Sequence, residues 1–156
     1  RQMCIRDRAY IQPVFIDLDM NTVEPAIGAH RMDKVYAWKS MLDMGIHTSG
    51  GSDAPVVSFD AMENIYFAVT RKNISGQPQE GWIPSEKISV DEAVKLFTKN
   101  AAYASYTEKE NGTIETGKNA DLVVLEKDIY SIDPDEIKTV KVDMTVLGGK
   151  VVFERE

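Results

Sequence analysis

The chain has 156 residues, with 18 Lys and Arg against 25 Asp and Glu, a formal net charge of −7, and 43% hydrophobic residues. This is a globular composition of single-domain length, too short for a complete (β/α)8 barrel, which takes about 250 residues. The basic residues are too scattered for a nucleic-acid footprint, no apolar run reaches the roughly 18 residues of a membrane span, and a lone cysteine, Cys4, excludes an intrachain disulfide or a cysteine zinc knuckle.

Residues 1–8 show neither alternation nor helical period and are expected to be an extraneous leader. They do not resemble a signal peptide, and the lone cysteine makes a reducing cytoplasm the expected location. Residues 9–16 read as a short buried strand, with Pro13 at an edge or end. Residues 31–44 read as a helix, with Met32, Val35, Tyr36, Trp38 and Leu42 on its apolar stripe and Gly45 as its stop. Residues 46–52 form a second strand that runs into a Gly-Gly break. A helix over 59–72 follows, capped by Ser58. Its buried face is Met62, Ile65, Tyr66 and Val69, and Arg71 and Lys72 sit at the end where the helix dipole favours cations. Residues 73–87 make a long loop, of the kind that serves as a lid or binding loop.

Ser89-Val90-Asp91-Glu92 predicts a capping box that opens a helix extending to Tyr106. After Asn111-Gly112 the pattern turns to strands over 120–125, 142–147 and 150–153. The last two are joined by Gly148-Gly149, and one helical turn starts at Pro134. The order predicts an α/β chain: parallel βα units, then a small separate sheet.

The chemistry centres on Gly50-Gly51-Ser52-Asp53-Ala54-Pro55. A carboxylate directly after a parallel strand stands where α/β enzymes place reacting groups. Asp53 there suits a metal ligand, or a general base acting on water. Ser52 and Asp53 equally suit a plain turn or helix cap. His30, His47 and Asp53 reach the number of ligands of a catalytic zinc site. Their spacing is poor, since His47 falls at the start of the strand and His30 precedes a helix. Asp17 and Asp19 share one face by period two and read as solvated loop carboxylates rather than a glycosidase pair. Neither a Gly-x-Ser-x-Gly elbow nor a phosphate-binding glycine loop is present.

Several runs occur together in order: Gly51-Ser52-Asp53-Ala54-Pro55-Val56, Ala68-Val69-Thr70-Arg71, Ser89-Val90-Asp91-Glu92-Ala93-Val94, the stretch from Gly112 to Leu125 containing Ala120-Asp121-Leu122-Val123-Val124, and Thr145-Val146-Leu147-Gly148-Gly149-Lys150. With Gln12-Pro13 and the stretch from Gly28 to Trp38, they resemble the C-terminal part of the metal-dependent amidohydrolase superfamily. Within it they resemble the amidohydrolase family 3 branch and are similar to N-substituted formamide deformylases. The likeness covers residues 9–155.

The resemblance implies the last two strands and helices of a (β/α)8 barrel over residues 9–112, and part of a small β-sandwich over 113–156. It implies that Asp53 closes the eighth strand as metal ligand and catalytic base. His30 is a candidate substrate contact, and Asp121 a structural residue of the sandwich. It further implies a divalent metal in the complete enzyme, zinc as one or two ions, and a small-molecule amide as substrate. The remaining metal ligands lie upstream of this stretch in the family. The chain alone is therefore expected to be inactive and to bind no stoichiometric metal, and to need the N-terminal part of the barrel as its partner. The alternatives are a non-catalytic remnant or interaction module, and a deaminase of the same superfamily.

Overall fold

The structure, a computed structural model, describes residues 8–156. Strands β1 (Ala9–Ile11) and β2 (Thr48–Gly50) pair in parallel, with Ala9 opposite Thr48 and Ile11 opposite Gly50. Between them run α1 (Phe15–Asp19), α2 (Val23–Ile27), a 3-10 helix at Ala29–Lys34, and α3 (Trp38–Asp43). After β2 come α4 (Ala61–Thr70), α5 (Val90–Phe97) and α6 (Lys99–Ala104). A second sheet, antiparallel in the order β3-β4-β5, holds β3 (Leu122–Leu125), β4 (Val142–Leu147) and β5 (Lys150–Glu154). The parallel pair and the separate small sheet agree with the strand and helix order read from the sequence. No helix among the described residues is long and apolar enough to cross a membrane.

Several predicted elements are shorter or broken, three of them for a visible reason. The first strand stops at Ile11, because the chain turns at Pro13 into α1. The Phe15 and Ile16 amides bond back to the Gln12 and Pro13 carbonyls at 3.2 and 3.1 Å, which is helical pairing. Asp17 and Asp19 therefore lie on a helix, half-buried rather than solvated. The helix predicted over 31–44 is split at Tyr36, whose φ is 50°. The helix from Ser89 breaks at Thr98 (φ −124°, ψ −97°) into α5 and α6. The capping box itself is formed: the Glu92 amide donates to Ser89 Oγ at 3.2 Å, and the Ser89 amide donates to Glu92 Oε2 at 2.8 Å.

The predicted leader lies outside the described residues except for Arg8. The Arg8 guanidinium sits 4.1 Å from the Tyr106 ring centre and 4.8 Å from that of Tyr103, and Nη1 donates to the Tyr106 hydroxyl at 2.7 Å.

The core forms around α4. Asn64 through Thr70 are all buried, so this helix is enclosed rather than half-exposed as its predicted apolar stripe implied. Asn64 is tolerated there because it is satisfied. Its Oδ1 accepts from the Val14 amide at 3.2 Å, and its Nδ2 donates to the Asp60 carbonyl at 2.9 Å. Asp60, not Ser58, caps the helix, accepting from the Met62 and Glu63 amides. Ile11, Val14, Ile16, Trp38, Ala93 and Leu96 close around α4. So does Ile137, from the 3-10 helix Pro134–Thr139.

Candidate functional site

β2 is nearly sealed: Thr48 and Ser49 are 0% and 4% exposed. Pairing continues one residue beyond it, where the Gly51 amide donates to the Ile11 carbonyl at 2.9 Å. The chain then emerges. Asp53 is exposed and has a φ of 63°. A non-glycine residue in this left-handed region costs about 1 kcal/mol, and Asp is among the few types that visit it readily. The Val56 amide donates to the Asp53 carbonyl at 2.9 Å, and the Ala54 amide to Ser52 Oγ at 3.3 Å. These bonds close a tight turn, so the predicted turn is present and presents the Asp53 carboxylate outward from the end of a parallel strand.

β2 is held at its first and last residues by α6 and α5. Asn100 Nδ2 on α6 donates to the Thr48 carbonyl at 2.9 Å. The ring of Phe97, the last residue of α5, lies flush against Gly50: a Cβ there would stand 2.7 Å from the ring's Cζ.

The other predicted site residues do not join Asp53. His47 precedes β2 at the strand's opposite end, where its ring stacks on Tyr103 with centres 4.3 Å apart. His30 is exposed on the 3-10 helix Ala29–Lys34. Among the described residues no three His, Cys, Asp or Glu side chains gather closely enough to hold a metal ion. Such a site takes about three protein ligands, so these residues alone do not fit one, and Asp53 supplies a single donor. Asp121 has the structural role expected of it: its Oδ1 accepts from the Gly148 amide at 2.7 Å and anchors the β4–β5 turn.

A second polar cluster was not legible as such. Arg71, expected at a helix end where the dipole favours a cation, is fully buried with φ 54°. Its Nε donates to the Trp82 carbonyl at 2.6 Å and its Nη1 to the Tyr36 carbonyl at 3.0 Å. The guanidinium carbon sits 4.7 Å from the Trp38 ring centre and 5.7 Å from that of Trp82. Burial pushes its pKa down to about 10, against the opposing pull of the Glu86 carboxylate. The group stays charged at neutral pH. Glu86 is itself buried, accepting from the Ser40 amide at 2.9 Å and from the Ser40 hydroxyl. Asp19 accepts from the Tyr36 hydroxyl, and burial together with that bond raises the Tyr36 pKa. Asp17 Oδ1 accepts from the Ile74 amide at 2.8 Å.

These contacts pin the loop after α4, which was expected to be a lid or a binding loop. The Trp82 amide donates to the Arg71 carbonyl at 2.7 Å. At Gly81 (φ 81°) a Cβ would fall 2.4 Å from the Thr70 carbonyl oxygen, so the loop lies directly on the helix end. A cavity of about 320 Å³ opens between Met20, Asn21, Asn73, Gln77, Pro78 and Trp82. Asp53 does not line it, and its polar lining is carboxamide, which cannot serve as a base.

Comparison with known proteins gives this geometry its context. A family model described as "Amidohydrolase family" matches residues 5–153. The YtcJ protein of Bacillus subtilis (strain 168) is 37% identical over 145 residues, covering 93% of this chain and 27% of that protein. The N-substituted formamide deformylase of Arthrobacter pascens is 36% identical over 122 residues, covering 78% of this chain and 22% of that enzyme. The chain thus spans about a quarter of the length of the curated relatives it matches. The fold is shared with the crystal structure of an uncharacterized metal-dependent hydrolase from Pyrococcus horikoshii, at a TM-score of 0.72 and 22% identity over 83% of this chain and 26% of that one. With a match across nearly its whole length, the chain belongs to the amidohydrolase family.

Proposed function

We propose that this chain is the C-terminal portion of a metal-dependent hydrolase that cleaves non-peptide carbon–nitrogen bonds of small amides. On this reading β1 and β2 are the last two strands of a (β/α)8 barrel, and residues 113–156 are part of a small β-sandwich. The observation that carries the reading is the placement of Asp53: an exposed carboxylate on a tight turn, one step beyond a buried parallel strand. In such folds the reacting groups stand at the C-terminal ends of the strands.

Asp53 is assigned two roles, as one donor to a divalent metal and as the general base. A bound divalent ion, zinc on this reading, supplies Lewis acidity that brings the pKa of water toward neutrality. The other donors belong to parts of the barrel outside this chain. Asp53 accepts a proton from the attacking water as its oxygen bonds to the amide carbon. It then returns that proton to the nitrogen as the carbon–nitrogen bond breaks. His30 is assigned a substrate contact from its place on an exposed turn.

The test is Asp53→Asn in the complete enzyme. Turnover is expected to fall by about a thousandfold or more, with an unchanged melting temperature. Retained turnover refutes the assignment.

A further inference from the structure

We infer that Phe97 and Asn100 are positioning residues for Asp53, acting through β2, Asn100 at its first residue and Phe97 at its last. The inference rests on the assignment of Asp53 as the base. Three observations meet at one point of the chain. Gly50 ends β2 three residues before Asp53, and its φ lies outside the left-handed region, so its backbone conformation does not require glycine. Space does: a Cβ at Gly50 would stand 2.7, 2.9 and 3.0 Å from Cζ, Cε2 and Cε1 of Phe97, closer than real carbon contacts allow. Phe97 cannot swing away freely, because it is half-buried against the core cluster that also holds Leu96 and Ala93. One turn further on, Asn100 Nδ2 holds the Thr48 carbonyl at 2.9 Å.

The aromatic edge therefore sets how deep the strand end lies, and the amide sets how far along the helix it sits. Asp53 follows on an exposed turn whose hydrogen bonds among the described residues are its own, Val56 to Asp53 and Ala54 to Ser52. Any outward push at Gly50 moves that turn as a unit. A base works only within about 3 Å of its proton, so a displacement near 1 Å costs about a hundredfold in rate.

A size-exchange experiment in the complete enzyme tests this. Gly50→Ala is expected to lower kcat by about tenfold or more while KM stays within about twofold, the signature of a displaced reacting group. It is also expected to weaken retention of metal against a chelator. Adding Phe97→Leu to Gly50→Ala vacates the ring edge and is expected to restore kcat to within about threefold of wild type. A Gly50→Ala enzyme with wild-type kcat overturns the inference, and so does a double variant that regains melting temperature without regaining kcat. If Gly50→Ala does not fold, Asn100→Ala carries the test: kcat must fall at least about fivefold in folded protein, and an unchanged kcat overturns the inference. Failure here, with Asp53→Asn still inactive, leaves the role of Asp53 standing; an active Asp53→Asn removes both.

Discussion

At the scale of single residues, Asp53 and Arg71 mark the limits of what the sequence shows. The placement of Asp53 on a turn after a parallel strand was legible because its signal is local: a strand, two glycines and an acidic turn within a few positions. Arg71 was not, because its surroundings come from afar. A basic residue at the end of a helix reads as a partner for the dipole. Its burial depends on Tyr36, Trp38 and Trp82, which are brought over it by two separate chain segments. The expected consequence is large. Arg71→Leu strands the Trp82 carbonyl, leaves the Tyr36 carbonyl with the Trp38 amide as its one partner among the described residues, and takes the guanidinium away from the Trp38 and Trp82 rings. A loss of about 3 kcal/mol in urea unfolding is expected. A loss below about 0.5 kcal/mol, the level of a typical surface substitution, would show that the guanidinium is solvated.

At the scale of elements, the features that hold are those written in adjacent residues. The capping box, the Gly148-Gly149 turn and the strands it joins all follow from local chemistry. Ser89→Ala is expected to cost about 1 kcal/mol, measured by thermal or urea unfolding. The break at Tyr36 was missed because its carbonyl is shared by the Trp38 amide at 2.8 Å and by Arg71, 35 residues away, in place of a helical partner. In the tail, Glu126 ties β3 to the strand that follows. It accepts from the Lys141 amide at 3.0 Å and from Arg155 Nη2 at 3.0 Å, which hold its carboxyl below the ordinary 4.5. A lowered acid contributes stability above its unfolded pKa and loses it as pH falls through the folded one. The melting-temperature gap between wild type and Glu126→Gln should therefore be constant above pH 4.5 and close below it.

At the scale of the whole molecule, the described residues cover the second sheet on neither face. Val123, Val124, Leu147, Val151, Val152 and Phe153 range from 48% to 61% exposed. Apolar surface gathered on one small sheet drives association. The isolated 156-residue chain is expected to self-associate with rising concentration in sedimentation, and to retain well under one equivalent of zinc after dialysis. A monomer holding one equivalent would contradict the reading that its metal site is completed by other parts of the barrel.

The seating of Ile137 against α4 bears on how such a chain could be shuffled between relatives. The 3-10 helix that carries it also reaches α4's end through Lys72 to Asp135 at 2.7 Å, and through Lys138 to the Ile74 carbonyl at 2.7 Å. A crossover at residue 113, where the composition changes, would pair a foreign Ile137 with a native helix. It would cut through one packed interior rather than between two. Recombinants that inherit residues 129–140 together with the helices, and exchange only the strands around them, should be the ones that fold.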